Sequence, residues 1–209
     1  SGQTYLILGK SSGWEKEIDL SDADASFIGD PHSLSGRCVR IVGDVNGDGY
    51  DDIAIGATHD GERAGKTYLL FGKSLGWGMD TSISTADASF IGEFQEDRAG
   101  WAISGAGDVN IDGYEDLIVS TTRNDEAGNN SGQVYLVLGK ASGWGFNTNL
   151  SSSYASFLGI YDNDSCGASI SGLGDINGDG SSDIIIGSAG NVDEGNSSGI
   201  SYLIPGLIF

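Results

Sequence analysis

The sequence predicts an all-β fold, a β-propeller of four-stranded blades, and three observations predict it. The chain repeats itself. Each copy offers four short strands divided by turn residues, with no convincing helix. Each copy also carries one strand that is apolar on both faces and therefore needs a neighbour on either side.

The repeats come first. SGQTYLILGK at 1–10 returns as AGKTYLLFGK at 64–73, SGQVYLVLGK at 131–140 and SGISYLIPG at 198–206. Trp14, Trp77 and Trp144 close matching SGW or LGW triplets, and ASFIG or ASFLG ends at Gly29, Gly92 and Gly159. The copies run 1–63, 64–130 and 131–197, and a fourth begins at 198–209. A fixed period of this length signals a repeat architecture. Within the second copy the strands are expected at 65–71, 87–91, 100–106 and 116–120. Four strands per unit select the propeller among all-β repeat folds. Ile53-Ala54-Ile55, Leu117-Ile118-Val119 and Ile184-Ile185-Ile186 are apolar throughout, as strands buried on both faces are. Ala88-Ser89-Phe90-Ile91 reads as a weaker, half-exposed strand.

Composition narrows the function. The 209 residues carry a net charge of −20, and phosphate binding needs a basic face, so nucleic acid is not an expected partner. No apolar run approaches the ~18 residues of a membrane span. The chain starts at Ser1 rather than Met, which fits a processed or excerpted protein. Cys38 aligns with Ala102 and Ser169, and Cys166 with Ser35 and Ala99. Small buried residues are expected at both slots. A disulfide between them stays open.

Much of the negative charge is placed rather than scattered. GDVNGDGYDDIAIG at 43–56 returns as GDVNIDGYEDLIVS at 107–120 and GDINGDGSSDIIIG at 174–187. Asp44, Asn46, Asp48, the backbone carbonyl of Tyr50, and Asp52 stand at loop positions 1, 3, 5, 7 and 9. Asp108, Asn110, Asp112, Tyr114 and Asp116 repeat the set, as do Asp175, Asn177, Asp179, Ser181 and Asp183. Alternate positions of a tight loop turn inward together, and all the donors are oxygens. Hard oxygen donors suit Ca²⁺ or Mg²⁺ rather than zinc or copper. Several carboxylates with a backbone carbonyl suit Ca²⁺, which accepts 6–8 ligands in flexible geometry. About three Ca²⁺ per chain are expected, and they would bring the formal charge from −20 to −14. Gly49, Gly113 and Gly180 occupy position 6, where the turn wants positive φ. An EF-hand is excluded: position 12, a bidentate glutamate there, is Ile55, Val119 or Ile186 here.

The pattern DxNxDGxxD followed by an apolar strand and then GAT (56–58) resembles the FG-GAP repeat of integrin α-subunit propellers, over essentially the whole chain. That resemblance implies a calcium-loaded hairpin between the first and second strands of each blade, on the lower face. It also implies ligand contact through loops of the opposite face. An extracellular or cell-surface place is expected from calcium, since such sites fill readily where Ca²⁺ is millimolar. The "FG" of the family is carried by Ser35-Gly36, Ala99-Gly100 and Cys166-Gly167, without the aromatic. Ile111 stands where Gly47 and Gly178 do at position 4, making the second loop the least regular.

Other clusters carry less. Glu62, Asp125-Glu126 and Asp193-Glu194 recur once per repeat and read as solvated loop acids, not as the carboxylate pair of a glycosidase. His32 and His59 have no repeated partner. Trp14, Trp77 and Trp144 either pack between blades or stack on sugars, and packing is favoured because Trp supplies large buried area. Asn129, Asn149, Asn163 and Asn196 begin N-x-S sequons, little above chance in this composition.

The sequence therefore predicts a calcium-binding extracellular β-propeller in adhesion, binding or structural assembly, and not an enzyme. A carbohydrate-binding propeller is the alternative, and a self-assembling ring or filament subunit the second. The last follows from strand counting: strands near 3–8 and 24–28 precede the first acidic hairpin, and 199–204 follows the last. Three hairpins mark three blades, fewer than the ~4 that close a ring. Chains that complete one another's blades as a homo-oligomer are the expectation, since an uncovered edge strand is an association site.

Overall fold

The computed structural model describes residues 1–190 and 198–206. Asp193-Glu194 and Asn196 lie outside the described residues. The chain is all β, and among the described residues its only helical turns are three short 3₁₀ turns. β1 (Gln3–Leu6) and β2 (Ala25–Ile28) form an antiparallel pair. β3 (Ser35–Gly43), β4 (Asp52–Ala57), β5 (Lys66–Leu70), the two-residue β6 (Thr81–Ser82) and β7 (Ala88–Ile91) follow. Of these, β3, β4, β5 and β7 make one antiparallel blade in that order. β8 (Ile103–Gly107), β9 (Asp116–Thr121), β10 (Gln133–Val137) and β12 (Ala155–Leu158) make the next, with the short β11 (Thr148–Asn149) lying between β10 and β12 in sequence. β13 (Cys166–Gly174), β14 (Asp183–Ser188) and β15 (Ile200–Ile204) form the last sheet. The arrangement is propeller-like. Its sheets are offset from the sequence repeats, because the copy starting at residue 64 opens on the third strand of a blade already begun.

The doubly apolar strands sit where their pattern requires. Successive side chains of a strand point to opposite faces. Ala54 of β4 therefore joins a core with Ile103, Leu117 and Tyr135 of the following blade, while Ile55 joins one with Phe27, Tyr68 and Leu70 on the other side. In β9, Leu117 and Val119 face back and Ile118 faces forward to Ile184 and Ile186. The inner strands approach closely: a Cβ on Gly105 would lie 2.9 Å from the Val42 carbonyl oxygen, and one on Gly172 would lie 2.4 Å from that of Gly105. Glycine lets neighbouring blades stack at the narrow end of the wedge.

One expectation is corrected. Ala88-Ser89-Phe90 is buried rather than half-exposed. The next repeat reaches back and covers it: β11 pairs in parallel with β7, and the Trp144 ring meets Phe90 edge-on at 6.3 Å. β6 and Trp77 cover β2 in the same way, the ring 6.1 Å from Phe27. β12 has no such cover among the described residues, and its residues alternate between half-buried and exposed. Tryptophan packing between blades thus holds for Trp77 and Trp144. Trp14 is 52% exposed. Both cysteines are free thiols in different sheets. Cys166 is buried and Cys38 half-buried, and burial pushes the Cys166 thiol up.

Candidate metal centre

The three acidic loops join the first strand of a blade to its second, at one end of the stack. Each folds around its own aspartates. In the first, the Asp44 carboxylate accepts from the N–H groups of Gly47 (2.7 Å), Asp48 (3.0 Å) and Gly49 (2.8 Å). Asn46 Oδ1 accepts from Asp48 N–H at 2.8 Å, and Asp48 Oδ1 accepts from Tyr50 N–H at 2.9 Å. These are Asx turns, the local bonding for which Asp and Asn are favoured in loops. The third loop repeats every one of these bonds. The second keeps all but the position-4 bond to Asp108. There Ile111 takes φ 59°, the left-handed region in which Gly47 and Gly178 sit at ease.

Position 9 differs from the rest. Asp52, Asp116 and Asp183 are buried, and each carboxylate bridges two backbones. Asp52 accepts from Val45 N–H at 3.0 Å and from Gly72 N–H at 2.7 Å, tying the loop to the turn after the third strand. Asp116 does so with Val109 and Gly139, and Asp183 with Ile176 and Gly206. Burial pushes the carboxyls of Asp52 and Asp116 up to about 6, against the pull of those N–H donors. At position 8 of the first loop, Asp51 is exposed.

The loops also join one another. Glu115 N–H donates to the Asp44 carbonyl at 3.2 Å, and Ser182 N–H to the Asp108 carbonyl at 3.1 Å. Gly47 lies under the Tyr114 ring, where a Cβ would approach to 2.6 Å. Sequence reasoning missed this chain of contacts, although the glycine at position 4 was its signal. Glu115, caught between loops, has its carboxyl pushed up by burial first and then by Asp108, Asp51 and Asp44.

The donor set is chemically that of a hard divalent cation: carboxylates at 1, 5 and 9, an amide oxygen at 3, a carbonyl at 7. Among the described residues no three Asp, Glu, His or Cys side chains converge on one point. The carboxylates instead hold loop N–H groups, so a cation would share oxygens with those donors.

Elsewhere, the Asp125 carboxylate accepts from Asn130 N–H within its own loop, and His59 Nδ1 pairs with the Thr58 hydroxyl at 3.2 Å. The three repeated tryptophan indoles each donate to the carbonyl of a lysine four residues earlier, and that lysine's ammonium lies over the ring: Lys10 on Trp14, Lys73 on Trp77, Lys140 on Trp144.

Fold and loops define a class: a repeat protein of stacked β blades with an oxygen-donor loop at one end of each. Within it, the chain belongs to the FG-GAP repeat family, whose model matches 41–70, 99–137 and 167–204, more than half of the chain. It is similar to integrin alpha-7 of Mus musculus, 33% identical over 121 residues, 57% of this chain and 9% of that protein. Integrin alpha-6 of Gallus gallus is 34% identical over 124 residues, 57% of this chain and 10% of that one. Integrin alpha-PS2 of Drosophila melanogaster is 31% identical over 130 residues, 60% and 9%. The matched stretch spans about a tenth of each relative's length. No helix among the described residues is long and apolar enough to cross a membrane.

Proposed function

We propose that this chain is a calcium-loaded propeller segment that works outside the cell in adhesion or protein binding, and not as an enzyme. One observation carries the reading. The same oxygen donors stand at the same end of three consecutive blades, in loops that bond to one another. Asp44/Asn46/Asp48/Asp52, Asp108/Asn110/Asp112/Asp116 and Asp175/Asn177/Asp179/Asp183 would hold one Ca²⁺ each, with the carbonyls of Tyr50, Tyr114 and Ser181. The ion would neutralise carboxylates now crowded around Glu115 and fix the loops as one rim. Similarity to integrin alpha chains supports an adhesive role and a place where calcium is plentiful, since extracellular modules bind it at 10⁻⁴–10⁻³ M. Glycan binding through the tryptophans is the weaker reading, because lysines and neighbouring blades already occupy those rings.

Calcium should raise the melting temperature, and EGTA should lower it. A ligand bound only by the folded state adds RT ln(1 + [L]/Kd), about 2.7 kcal/mol per site at a hundredfold excess. An unchanged melt with no calcium by elemental analysis sinks the reading.

A second reading, self-association, rests on the edges. Among the described residues β1 and β15 each pair on one side only, and Leu203 is 51% exposed where its counterparts Leu69 and Leu136 are buried.

A further inference from the structure

The ends of the blades opposite the acidic loops carry acids too, among them Asp60, Glu62, Glu93, Glu96, Asp97, Asp125 and Glu126, but they also gather four of the chain's five arginines. The chain holds ten Lys and Arg against thirty Asp and Glu, yet Arg37, Arg63, Arg98 and Arg123 all sit on strand starts and loops at this end. Three of them act together: the Arg98 guanidinium is held below its ordinary value by burial first, then by Arg123, with Arg63 adding to it and Glu96 opposing. Arg63 is paired with Glu96 at 3.2 Å. Among the described residues neither Arg98 nor Arg123 is in an ion pair.

These two line a cleft of about 460 Å³ between the β8–β12 blade and the β13–β15 sheet. The repeats explain why it opens here. Arg37, Trp101 and Ala168 are equivalent positions, as are Thr58, Thr122 and Ala189. One blade earlier, the Arg37 guanidinium lies over the Trp101 ring, 4.2 Å from its centroid, and fills the gap. Across the next gap Trp101 faces Ala168, and the small side chains leave a space. Its walls are rich in donors: the two guanidiniums, the Thr122 and Ser165 hydroxyls, and the amides of Asn130 and Asn163. Arg98 comes from a left-handed backbone position, φ 62°. Its Nε is buried without a hydrogen-bond partner. A buried guanidinium N–H left unpaired is unusual enough to call for an acceptor.

The geometry points to a docking site for a single carboxylate, the Asp or Glu side chain of a partner protein, between Arg98 and Arg123 in this cleft. A guanidinium fork matches a planar carboxylate with two parallel bonds. The partner segment is neutral or basic around that one acid. A net charge of −20 repels a polyanion at long range, whereas one carboxylate meets the local arginines inside a Debye length of ~8 Å. The inference rests on the protein-binding role proposed above and not on calcium.

The test is an NMR titration of the full chain, reading the Trp101 indole and Arg98 Nε–H signals. The probes are the capped peptide Gly-Ser-Glu-Ser-Gly, its Gln counterpart and a sulfated disaccharide, each in calcium and again in EGTA. The Glu peptide should give saturable shifts and the Gln peptide none. Arg123→Gln, at an exposed side chain, should weaken binding about tenfold or more. Ala168→Trp should block it without changing charge. Equal shifts with the Gln peptide, no saturable shift with either, or unchanged binding in Arg123→Gln overturn the site. Saturable binding of the sulfated disaccharide alone overturns the protein-carboxylate ligand. Binding that persists in EGTA supports a site independent of the metal loops, whereas loss in EGTA overturns that independence; the melting experiment reads the metal loops separately.

Discussion

Replacing Asp48 by alanine separates a metal-ligand role from a merely structural one. The Asp48 side chain makes two exposed bonds, accepting from Tyr50 N–H and from the Asn46 amide, each at 2.9 Å. Water takes over exposed groups, so Asp48→Ala should cost about 1 kcal/mol in EGTA. With calcium at a hundredfold excess over Kd, losing one site removes about 2.7 kcal/mol more. The loss in calcium should thus be nearly four times the loss in EGTA. Asp51→Ala is the control. Asp51 is exposed and adds to the repulsion on Glu115, so its removal should change stability by less than about 0.5 kcal/mol, on the stabilising side, in both buffers. Urea unfolding followed by tryptophan fluorescence reads all four values, and calorimetric titration should show Asp48→Ala with one calcium fewer than the parent. If Asp48→Ala loses the same amount in both buffers, or if Asp51→Ala matches it, the ligand register is refuted.

Four further outcomes are expected. Ile111→Gly should stabilise the calcium-free protein by about 0.5–1 kcal/mol, because left-handed strain of ~1–2 kcal/mol exceeds the extra chain entropy of glycine; a lower urea midpoint would contradict this. Trp144→Ala should cost about 2 kcal/mol, since that ring packs edge-on against Phe71 and Phe90, while Trp14→Ala should stay within about 0.5 kcal/mol; similar losses would deny the inter-blade role. Burial raises the Asp97 carboxyl above its ordinary value, against the hydrogen bonds from Phe94 N–H and the Asn124 amide. The folded state then binds the proton more tightly than the unfolded, so stability falls as pH rises from the ordinary carboxylate value through the raised one; Asp97→Asn should make that slope shallower, leaving the part that Asp52 and Asp116 contribute, and parallel pH profiles would show that Asp97 does not add to it. Native mass spectrometry should find dimers or larger assemblies that dissociate when 199–209 is deleted, and a cooperatively melting monomer would end the self-association reading.

The sequence by itself settles what repetition and local bonding can settle. Asp44 and Asn46 bond to N–H groups two to five residues away, so the acidic loop is written within nine residues. The doubly apolar Ile53-Ala54-Ile55 announces a strand between two cores. Tertiary structure decides whatever depends on a residue of another repeat. Ser89 and Phe90 look half-exposed in their own blade and are buried because β11 and Trp144 return from the next. Leu69, Leu136 and Leu203 are one residue in one repeated context, yet the first two are buried and the third is half exposed. Burial belongs to the neighbour, and the neighbour differs. The same rule makes the arginine cleft invisible in any single copy: it exists because Trp101 of one blade meets Ala168 of the next, a pairing that only the stacking of blades creates.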